Sequence, residues 1–274
     1  MNLHPYESQD LMDFLIAGKT WRNWLEEREA LGVFGRENLW ICAQDLSALT
    51  IAGGAATLSV DGEVVATMGN DPGCCVENVE ASEGSFMIEY VWDLIRVNEQ
   101  VVQSLPKSKI EGVVHESAYI EGVVKIGKGT RILPGVFIEG NVTIGENCKI
   151  GPNCYIRGNT SIGDGCHIGQ SVEIKNTVIG NGTNVGHLSY VGDSLLGHGV
   201  NFGAGTTTSN LRHDGKNHQS IIGGELVDTG RRKFGVIVAD GVHTGINTSF
   251  YPGRKLGKNV TTRPAEVIKE DKYI

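Results

Sequence analysis

Residues 118–175 read AYIEGVVKIGKGTRILPGVFIEGNVTIGENCKIGPNCYIRGNTSIGDGCHIGQSVEIK. Isoleucine occupies every sixth position of this stretch: Ile120, Ile126, Ile132, Ile138, Ile144, Ile150, Ile156, Ile162, Ile168 and Ile174. A period of six matches neither the 3.6-residue turn of a helix nor the two-residue alternation of a long strand. It is typical of a coil of short strands joined by turns. Three strands per coil would stack the isoleucines in columns inside a triangular prism.

The position two residues before each isoleucine also faces inward, because side chains alternate along a strand. Small or β-branched residues fill it: Ala118, Val124, Thr130, Val136, Val142, Cys148, Cys154, Thr160, Cys166 and Val172. We therefore interpret Cys148, Cys154 and Cys166 as packing residues. Cys74 and Cys75 are adjacent and Cys42 stands alone, so no spacing typical of structural zinc is found. Burying one isoleucine contributes roughly 1.5–3 kcal/mol, so the columns are expected to hold the prism together without metal or disulfide.

Composition narrows the classes of function. The chain has 274 residues and a formal net charge of −8, and its pI is about 5.5. This balance argues against nucleic acid as a partner, because the chain offers no basic stripe. No apolar run approaches the length that spans a membrane, and the N-terminus lacks the features of a signal peptide. We expect no membrane partner and a cytoplasmic location.

The pattern predicts a mainly β protein with two domains, a small α/β domain over residues 1–106 and the coil over residues 107–274. The expected elements of the first domain are a helix at Trp21–Leu31, strands at Leu39–Leu46 and Ala56–Ala66, and a helix at Trp92–Leu105. The second strand region turns as a hairpin at Asp61-Gly62. The last helix is expected to dock on the open end of the prism, whose backbone groups and apolar surface need a cap.

The six-residue rhythm slips by one residue after Ile174 and slips again at Leu196. It fails near residues 209–220, where we predict a loop that leaves the prism, and a second interruption lies near residues 223–233. The rhythm resumes at Val238, and the tail after Gly257 is expected to leave the coil as a surface arm.

Polar residues cluster around the two slips: Arg157, Lys175, His187, Tyr190, Asn201 and Asn210. Arg157 and Lys175 are one coil apart in sequence, so the two cations are expected to stack on one edge. Two neighbouring cations favour an anion, and phosphate is the natural candidate. His187 follows an inward valine and a glycine, which places it at a turn and outside the core.

The run Gly186–Asp193 with Asn201–Thr206 resembles the acetyltransferase half of the bifunctional glucosamine-1-phosphate acetyltransferase/N-acetylglucosamine-1-phosphate uridylyltransferases. The segment Asn210–Asp214 resembles the archaeal-type sugar-1-phosphate nucleotidyltransferase/acetyltransferases. The resemblance covers about Ile110 to Gly257. It implies a left-handed parallel β-helix of hexapeptide repeats, a homotrimer, and N-acetyl transfer from acetyl-CoA to an amino-sugar 1-phosphate, most simply glucosamine-1-phosphate.

Carried over by position, the resemblance gives each matching residue a role. His187 would be the general base and Asn210 would lie at the acetyl-transfer site. Arg157 and Lys175 would hold the phosphate, Tyr190 and Asn201 the sugar, and Ala204, Asn210, Leu211 and Ile246 the coenzyme. The chemistry is consistent, because an ammonium must lose a proton before it attacks a thioester, and a histidine can accept that proton near neutral pH.

The chain also departs from the family pattern. Leu211 stands where the bifunctional enzymes have an aromatic residue, and Ile246 where a coenzyme-contacting serine would fall. The Gly-rich nucleotide-binding opening of a uridylyltransferase is absent from the first domain, and Gly53-Gly54 is interpreted as a turn. Because residues 89–94 resemble the joining helix of the family, the first domain is interpreted as a shortened relic without uridylyltransferase activity.

Two alternatives remain at the level of sequence. The first is a non-catalytic β-helix scaffold or sugar-nucleotide binding protein. The second is a metalloenzyme like the γ-class carbonic anhydrases, for which His213 and His218 have a usable spacing. That class places a second histidine where this chain has Gly192, so we expect no metal site.

Overall fold

The six-residue period builds three parallel sheets that form the sides of a prism. The computed structural model describes residues 15–52, 56–69 and 77–273. The first face has eight strands, at Lys109–Ile110, Val124–Ile126, Val142–Ile144, Thr160–Ile162, Val178–Ile179, Leu195–Leu196, Val236–Val238 and Arg254–Leu256. The second face has six, at Val113–Val114, Arg131–Ile132, Lys149–Ile150, His167–Gln170, Asn184–His187 and Asn201–Phe202. The third has eight, at Tyr119–Glu121, Phe137–Glu139, Tyr155–Arg157, Glu173–Lys175, Tyr190–Gly192, Thr207–Thr208, Ser249–Phe250 and Val267–Ile268.

The inward columns form as the period predicts. Ile138 pairs with Ile156 and Ile156 with Ile174 in parallel register, and all three are fully buried. Cys148, Cys154 and Cys166 are also buried in this core, and burial raises the pKa of the Cys154 thiol to about 12. The predicted fold class, a left-handed parallel β-helix with a small N-terminal α/β part, is confirmed.

Two coils are one residue shorter than those before them, as the slips in rhythm predict. Ile144 pairs with Ile162, eighteen positions on, whereas Ile162 pairs with Ile179, seventeen positions on. The shortening falls where the third face turns into the first. Earlier coils place Gly140 and Gly158 at this corner with positive φ, and the shorter coils place Asn176 and Asp193 there at φ +48° and +49°. Asparagine and aspartate tolerate this left-handed conformation better than other side chains, and they put polar groups on the corner.

The predicted loop is longer than expected. The chain leaves the third face after Thr208 and returns to the first face at Val236, and we call residues 209–235 the excursion. The two predicted interruptions are parts of it. It contains an antiparallel hairpin of Gln219–Ile222 and Glu225–Asp228.

The tail does not leave the coil, so the expectation of a surface arm after Gly257 is wrong. Val260 and Ile268 are buried in the core, and Val267–Ile268 pairs with Ser249–Phe250. The rhythm hides this because proline and charged residues occupy the outward positions. Lys255, fully buried, holds the tail and the hairpin together. Its Nζ lies 3.0 Å from Asp271 Oδ2 and donates to Ser220 Oγ at 2.7 Å, although burial lowers its pKa.

Within the described residues of the N-terminal part, the helices are α1 at Trp21–Ala30, α2 at Ala43–Ala52 and α3 at Asp93–Gln103. Its strands are Leu15–Ile16 with Lys19–Thr20, Leu39–Trp40 with Phe86–Met87, and a sheet of Val33–Gly35, Glu63–Met68, Ala56–Val60 and Glu77–Glu80. The helix predicted at Trp21 and the hairpin around Asp61-Gly62 are confirmed. The strand predicted at Leu39–Leu46 is wrong beyond Trp40, because α2 begins at Ala43. Gly53-Gly54, Cys74 and Cys75 lie outside the described residues.

Helix α3 packs along the first face, so the prediction that it docks on the open end is wrong. The outward side chains of the first face run in register as Lys125, Thr143, Ser161, Val178, Leu195, Ile237 and Lys255. Apolar residues stand only near the middle, and Leu94, Ile95, Val97 and Val102 of α3 pack there. Asn98 adds a hydrogen bond from its Nδ2 to the Asn159 carbonyl at 2.7 Å. Within the described ranges, no helix is both long and apolar enough to span a membrane.

Replacing one inward isoleucine should test the columns directly. Ile138→Ala is expected to lower the free energy of unfolding by about 2–5 kcal/mol, because it leaves a cavity in a fully buried site. The measurement is urea unfolding followed by circular dichroism. The control Val113→Ala alters a side chain that is 69% exposed and should change little. Equal effects of the two substitutions would contradict the assignment of inward positions.

Candidate active site

One edge of the prism carries His187, Ala204 and Ile246 in a single column. This edge lies where the second face turns into the third. The Gly205 amide donates to the His187 carbonyl at 3.0 Å, and the Asn247 amide donates to the Ala204 carbonyl at 2.7 Å. The three positions therefore follow one another along the edge. His187 and Ile246 are exposed. His187 lies outside the core as expected, but it is the last residue of the strand Asn184–His187 and not a turn residue. We call these three residues the edge column.

The imidazole of His187 makes no hydrogen bond to the described part of the chain. It lies close enough to His167 to affect that residue, whose pKa is lowered first by burial and then by the charges of Lys149 and His187. Asn201 lies on the second face, in register with Asn184 and bridged to His243. Among the described contacts, no hydrogen bond joins Asn201 to Tyr190 or to His187.

A second group of predicted residues meets around the carboxylate of Asp193, at the corner between the third and first faces. Lys175 Nζ contacts both oxygens, at 2.9 and 2.8 Å. Asn176 donates to Oδ1 at 3.1 Å and Asn210 donates to Oδ2 at 2.5 Å. Asp193 is 2% exposed, so the buried charge is compensated by Lys175 and by these amides. We call Lys175, Asn176, Asp193, Asn210 and Tyr190 the corner cluster.

The corner cluster fixes the orientation of Asn210. A carboxylate can only accept hydrogen bonds, so the Nδ2 of Asn210 must face Asp193. The same nitrogen donates to the Tyr190 hydroxyl at 2.9 Å, which leaves Oδ1 as the amide atom available to a ligand. Burial and the Asp193 charge raise the pKa of Tyr190. The hydroxyl therefore stays protonated and can donate its own hydrogen.

His218 holds the backbone of the same residue. Its Nε2 lies 3.1 Å from the Asn210 carbonyl, which also accepts from the Phe234 amide at 3.0 Å. His218 is 2% exposed, and burial lowers its pKa. The residue considered from sequence as a metal ligand is thus a neutral hydrogen-bond donor inside the excursion.

The two predicted cations do stack, since Arg157 pairs with Lys175 in register. The premise that they need an external anion is wrong, because each already has a carboxylate partner. Arg157 Nε donates to Glu173 at 2.8 Å with both side chains about one-third exposed, whereas the side chains of Lys175 and Asp193 are 14% and 4% exposed. Carboxylates at these outward positions were visible in the sequence, but their pairing depends on the register of coils.

The corner cluster extends to helix α3 and to the far end of the excursion. Glu99 of α3 accepts from Asn176 Nδ2 at 2.7 Å and from Arg231 Nη2 at 2.5 Å. Each of three cations has its own carboxylate partner. Arg231 pairs with Glu99, Arg157 with Glu173 and Lys175 with Asp193. Sequence reasoning missed Asp193, Asn176, Glu99 and Arg231. The shortened coils were a signal for the first two, whereas nothing in the local sequence marks the others.

An open cleft of about 760 Å³ continues along the third face below Tyr190. Tyr190 pairs with Thr207 and Thr207 with Ser249, so the cleft floor follows the strand order. Leu211 and Arg212 of the excursion form its wall. Leu211 is the candidate coenzyme residue that lines this space.

Comparison with known proteins agrees with this architecture. The family model described as the GMPPB C-terminal domain matches residues 138–270. A bifunctional sugar-1-phosphate nucleotidylyltransferase/acetyltransferase of Sulfurisphaera tokodaii is 41% identical over 190 residues, 69% of this chain and 47% of the relative. A bifunctional protein GlmU of Methanococcus aeolicus is 41% identical over 61% of this chain and 40% of its own. The chain is a hexapeptide-repeat β-helix protein related to these bifunctional enzymes.

The resemblance drawn from the His187 and Asn210 motifs is thereby confirmed, and the chain spans about half the length of these curated relatives. A hexapeptide transferase family protein from Anaplasma phagocytophilum covers 58% of this chain and 73% of its own at 18% identity and a TM-score of 0.27. That structural likeness is too low to bear on function.

Removing the central carboxylate should destabilise the β-helix. Asp193→Ala is expected to cost about 3 kcal/mol of unfolding free energy, because Lys175, whose side chain is only 14% exposed, would remain charged without its partner. Urea unfolding measures the loss. The control Asp214→Ala breaks the exposed Arg212–Asp214 pair and should leave the midpoint nearly unchanged. Similar midpoints for the two variants would contradict the buried pair.

Proposed function

We propose that the protein transfers an acetyl group from acetyl-CoA to the amine of an amino-sugar 1-phosphate, with glucosamine-1-phosphate as the first acceptor to test. The observation that carries the proposal is that an exposed histidine and a cluster that holds Tyr190 and Asn210 flank the same strand, Tyr190–Gly192. The names of the relatives, which include acetyltransferase and sugar-1-phosphate, support the same class of reaction.

The proposed reaction is a direct transfer. His187 takes a proton from the ammonium of the sugar, and the neutral amine attacks the thioester carbonyl. The tetrahedral oxyanion collapses and the C–S bond breaks. The extra proton on the attacking nitrogen passes to the departing coenzyme A thiolate, and His187 releases the first proton to solvent. Asn210 presents its Oδ1 to an N–H of the acceptor, since both of its own N–H groups face Asp193 and Tyr190. No covalent enzyme intermediate is required.

The proposed sugar and coenzyme contacts lie along the edge column and the second and third faces beside it. Tyr190 and Asn201 would hold the sugar, and Ala204, Leu211 and Ile246 the coenzyme. Ala204 and Ile246 share the edge with His187, which supports a coenzyme running along it. The exposed edge would be completed by a neighbouring subunit in a homotrimer, which light scattering can test. We propose no uridylyltransferase activity, because the Gly-rich opening is absent from the chain.

The carboxylate partners of Arg157 and Lys175 favour different roles for the two cations in phosphate binding. The Arg157–Glu173 pair is partly exposed and opens at small cost, so Arg157 can turn to an arriving phosphate. Lys175 keeps Asp193 and has one further N–H to offer. Arg157 would recruit the phosphate while Lys175 mainly anchors the corner.

The histidine assignment predicts a selective loss of activity. His187→Ala should abolish coenzyme A release from acetyl-CoA and glucosamine-1-phosphate. The unfolding midpoint should not change, because the imidazole is exposed and makes no hydrogen bond to the described residues. A thiol reagent measures the released coenzyme. His115→Ala is the matched control, since His115 is exposed on the same edge in the first coil. Full activity in His187→Ala would exclude the base role.

The division between the two cations predicts different phenotypes. Arg157→Ala should raise the KM for the amino-sugar phosphate roughly tenfold through loss of one charge-assisted contact, with little change in stability. Lys175→Ala should lower the urea midpoint, because it strands buried Asp193. Initial rates at varied acceptor and unfolding curves give both quantities. The reverse pattern would show that Lys175 is the phosphate ligand and Arg157 the structural one.

A non-catalytic scaffold is the second candidate, and the existing carboxylate partners of Arg157 and Lys175 favour it. The two candidates are separated by the wild-type protein itself. Coenzyme A release that depends on an amino-sugar phosphate supports the enzyme. Its absence across glucosamine-1-phosphate and its stereoisomers supports the scaffold.

A further inference from the structure

Glu99 of helix α3 is the point at which the N-terminal part contacts the corner cluster. Both oxygens of its carboxylate accept hydrogen bonds from Arg231, one from Nη2 at 2.5 Å and one from Nη1 at 3.4 Å. The side chains of Glu99 and Arg231 are 24% and 17% exposed. Removing one partner of such a largely shielded pair costs free energy, because the charge of the other partner remains desolvated. The contact is therefore a firm junction between α3 and the excursion.

One route from Glu99 to Asn210 runs through the shortened corner. Asn176 Nδ2 donates to Glu99 at 2.7 Å and to Asp193 at 3.1 Å. Both amide hydrogens are thus used on carboxylates, so the side chain of Asn176 has a single favourable orientation. Asp193 then accepts from the Nδ2 of Asn210. This route ends on the amide whose Oδ1 is proposed to face the acceptor amine.

A second route reaches the backbone of the same residue. Arg231 accepts from the His218 amide through its carbonyl at 2.9 Å. The Nε2 of His218 contacts the Asn210 carbonyl at 3.1 Å. Two chains of hydrogen bonds therefore connect Glu99 to the side chain and to the main chain of Asn210, although Glu99 lies more than one hundred residues earlier in the chain.

We propose that Glu99 is a positioning residue for the acceptor site, which makes helix α3 a working part of that site. The proposal rests on the proposed acetyl transfer. Glu99 touches no reacting atom in this scheme and acts through Asn176, Asp193, Arg231 and His218. Without its charge, Arg231 has no carboxylate to hold it among the described contacts, and the excursion near Asn210 loosens.

Two substitutions test the connection, one at Glu99, where both routes begin, and one at Asn176, which lies on the first route alone. Glu99→Gln removes the charge and keeps the shape of the side chain. Asn176→Gly removes the bridging amide and keeps the positive φ, as Gly158 does one coil earlier. Each should lower kcat/KM for glucosamine-1-phosphate about tenfold and leave the KM for acetyl-CoA unchanged. Because the routes share Asn210, the double variant should lose less than the product of the two effects. Glu29→Gln, on an exposed site of α1, is the matched control.

Hydrogen exchange separates this proposal from the reaction on which it rests. Glu99→Gln should speed amide exchange in residues 209–218 whether or not the wild type transfers acetyl groups. Unchanged exchange there overturns the positioning role, as does an acceptor kcat/KM within twofold of wild type in an active enzyme. A KM for acetyl-CoA that rises tenfold in the variant also overturns it. If exchange is faster in Glu99→Gln but the wild type transfers no acetyl group, the proposed function alone is overturned.

Discussion

Everything on the surface of this β-helix depends on how one inward isoleucine stacks on the next. Ile138, Ile156 and Ile174 lie in register, so the residues beside them must lie in register too. That constraint places Arg157 above Lys175 and carries the edge column from His187 to Ala204 and Ile246. The strand on each side of the prism is only two to four residues long, so each residue has little freedom to move away from its column. The chemistry of the edge is thus set by the packing of the core.

Much of this could be predicted from the sequence because period and burial are local properties. The isoleucine spacing identified the core, the small partners and the two shortened coils. The failures arose where an outward position decided the structure. Proline and charge at 264–272 hid a continuing coil, since the inward Val260 and Ile268 are few and widely spaced. At Leu39–Leu46 the apolar run was too short to separate a strand from the start of α2.

The pairing of charges could not be predicted for a different reason. Glu173 and Asp193 stand sixteen and eighteen residues after the cations they contact, a separation that has meaning only once the coil is built. Glu99 is further still from Arg231, and α3 reaches it by packing on Val178, Leu195 and Ile237. Before the coils are stacked, two cations one coil apart look unpaired. Once they are stacked, each cation has its own carboxylate, and Lys175 joins the network that holds the side chain of Asn210.

The outward side chains of the first face have a consequence for how such a protein can change in length. Apolar residues at three consecutive rungs, Val178, Leu195 and Ile237, form the seat for α3, and polar rungs stand on either side. A whole coil duplicated among the rungs from Lys109 to Thr143 would move the first strand away from α3, although only residues 104–108 join them and Asn141 donates to the carbonyls of Val102 and Gln103. A coil duplicated between Val178 and Ile237 would separate the helix from the excursion. The docked helix therefore limits growth of the rod at its first coils as well as at its middle.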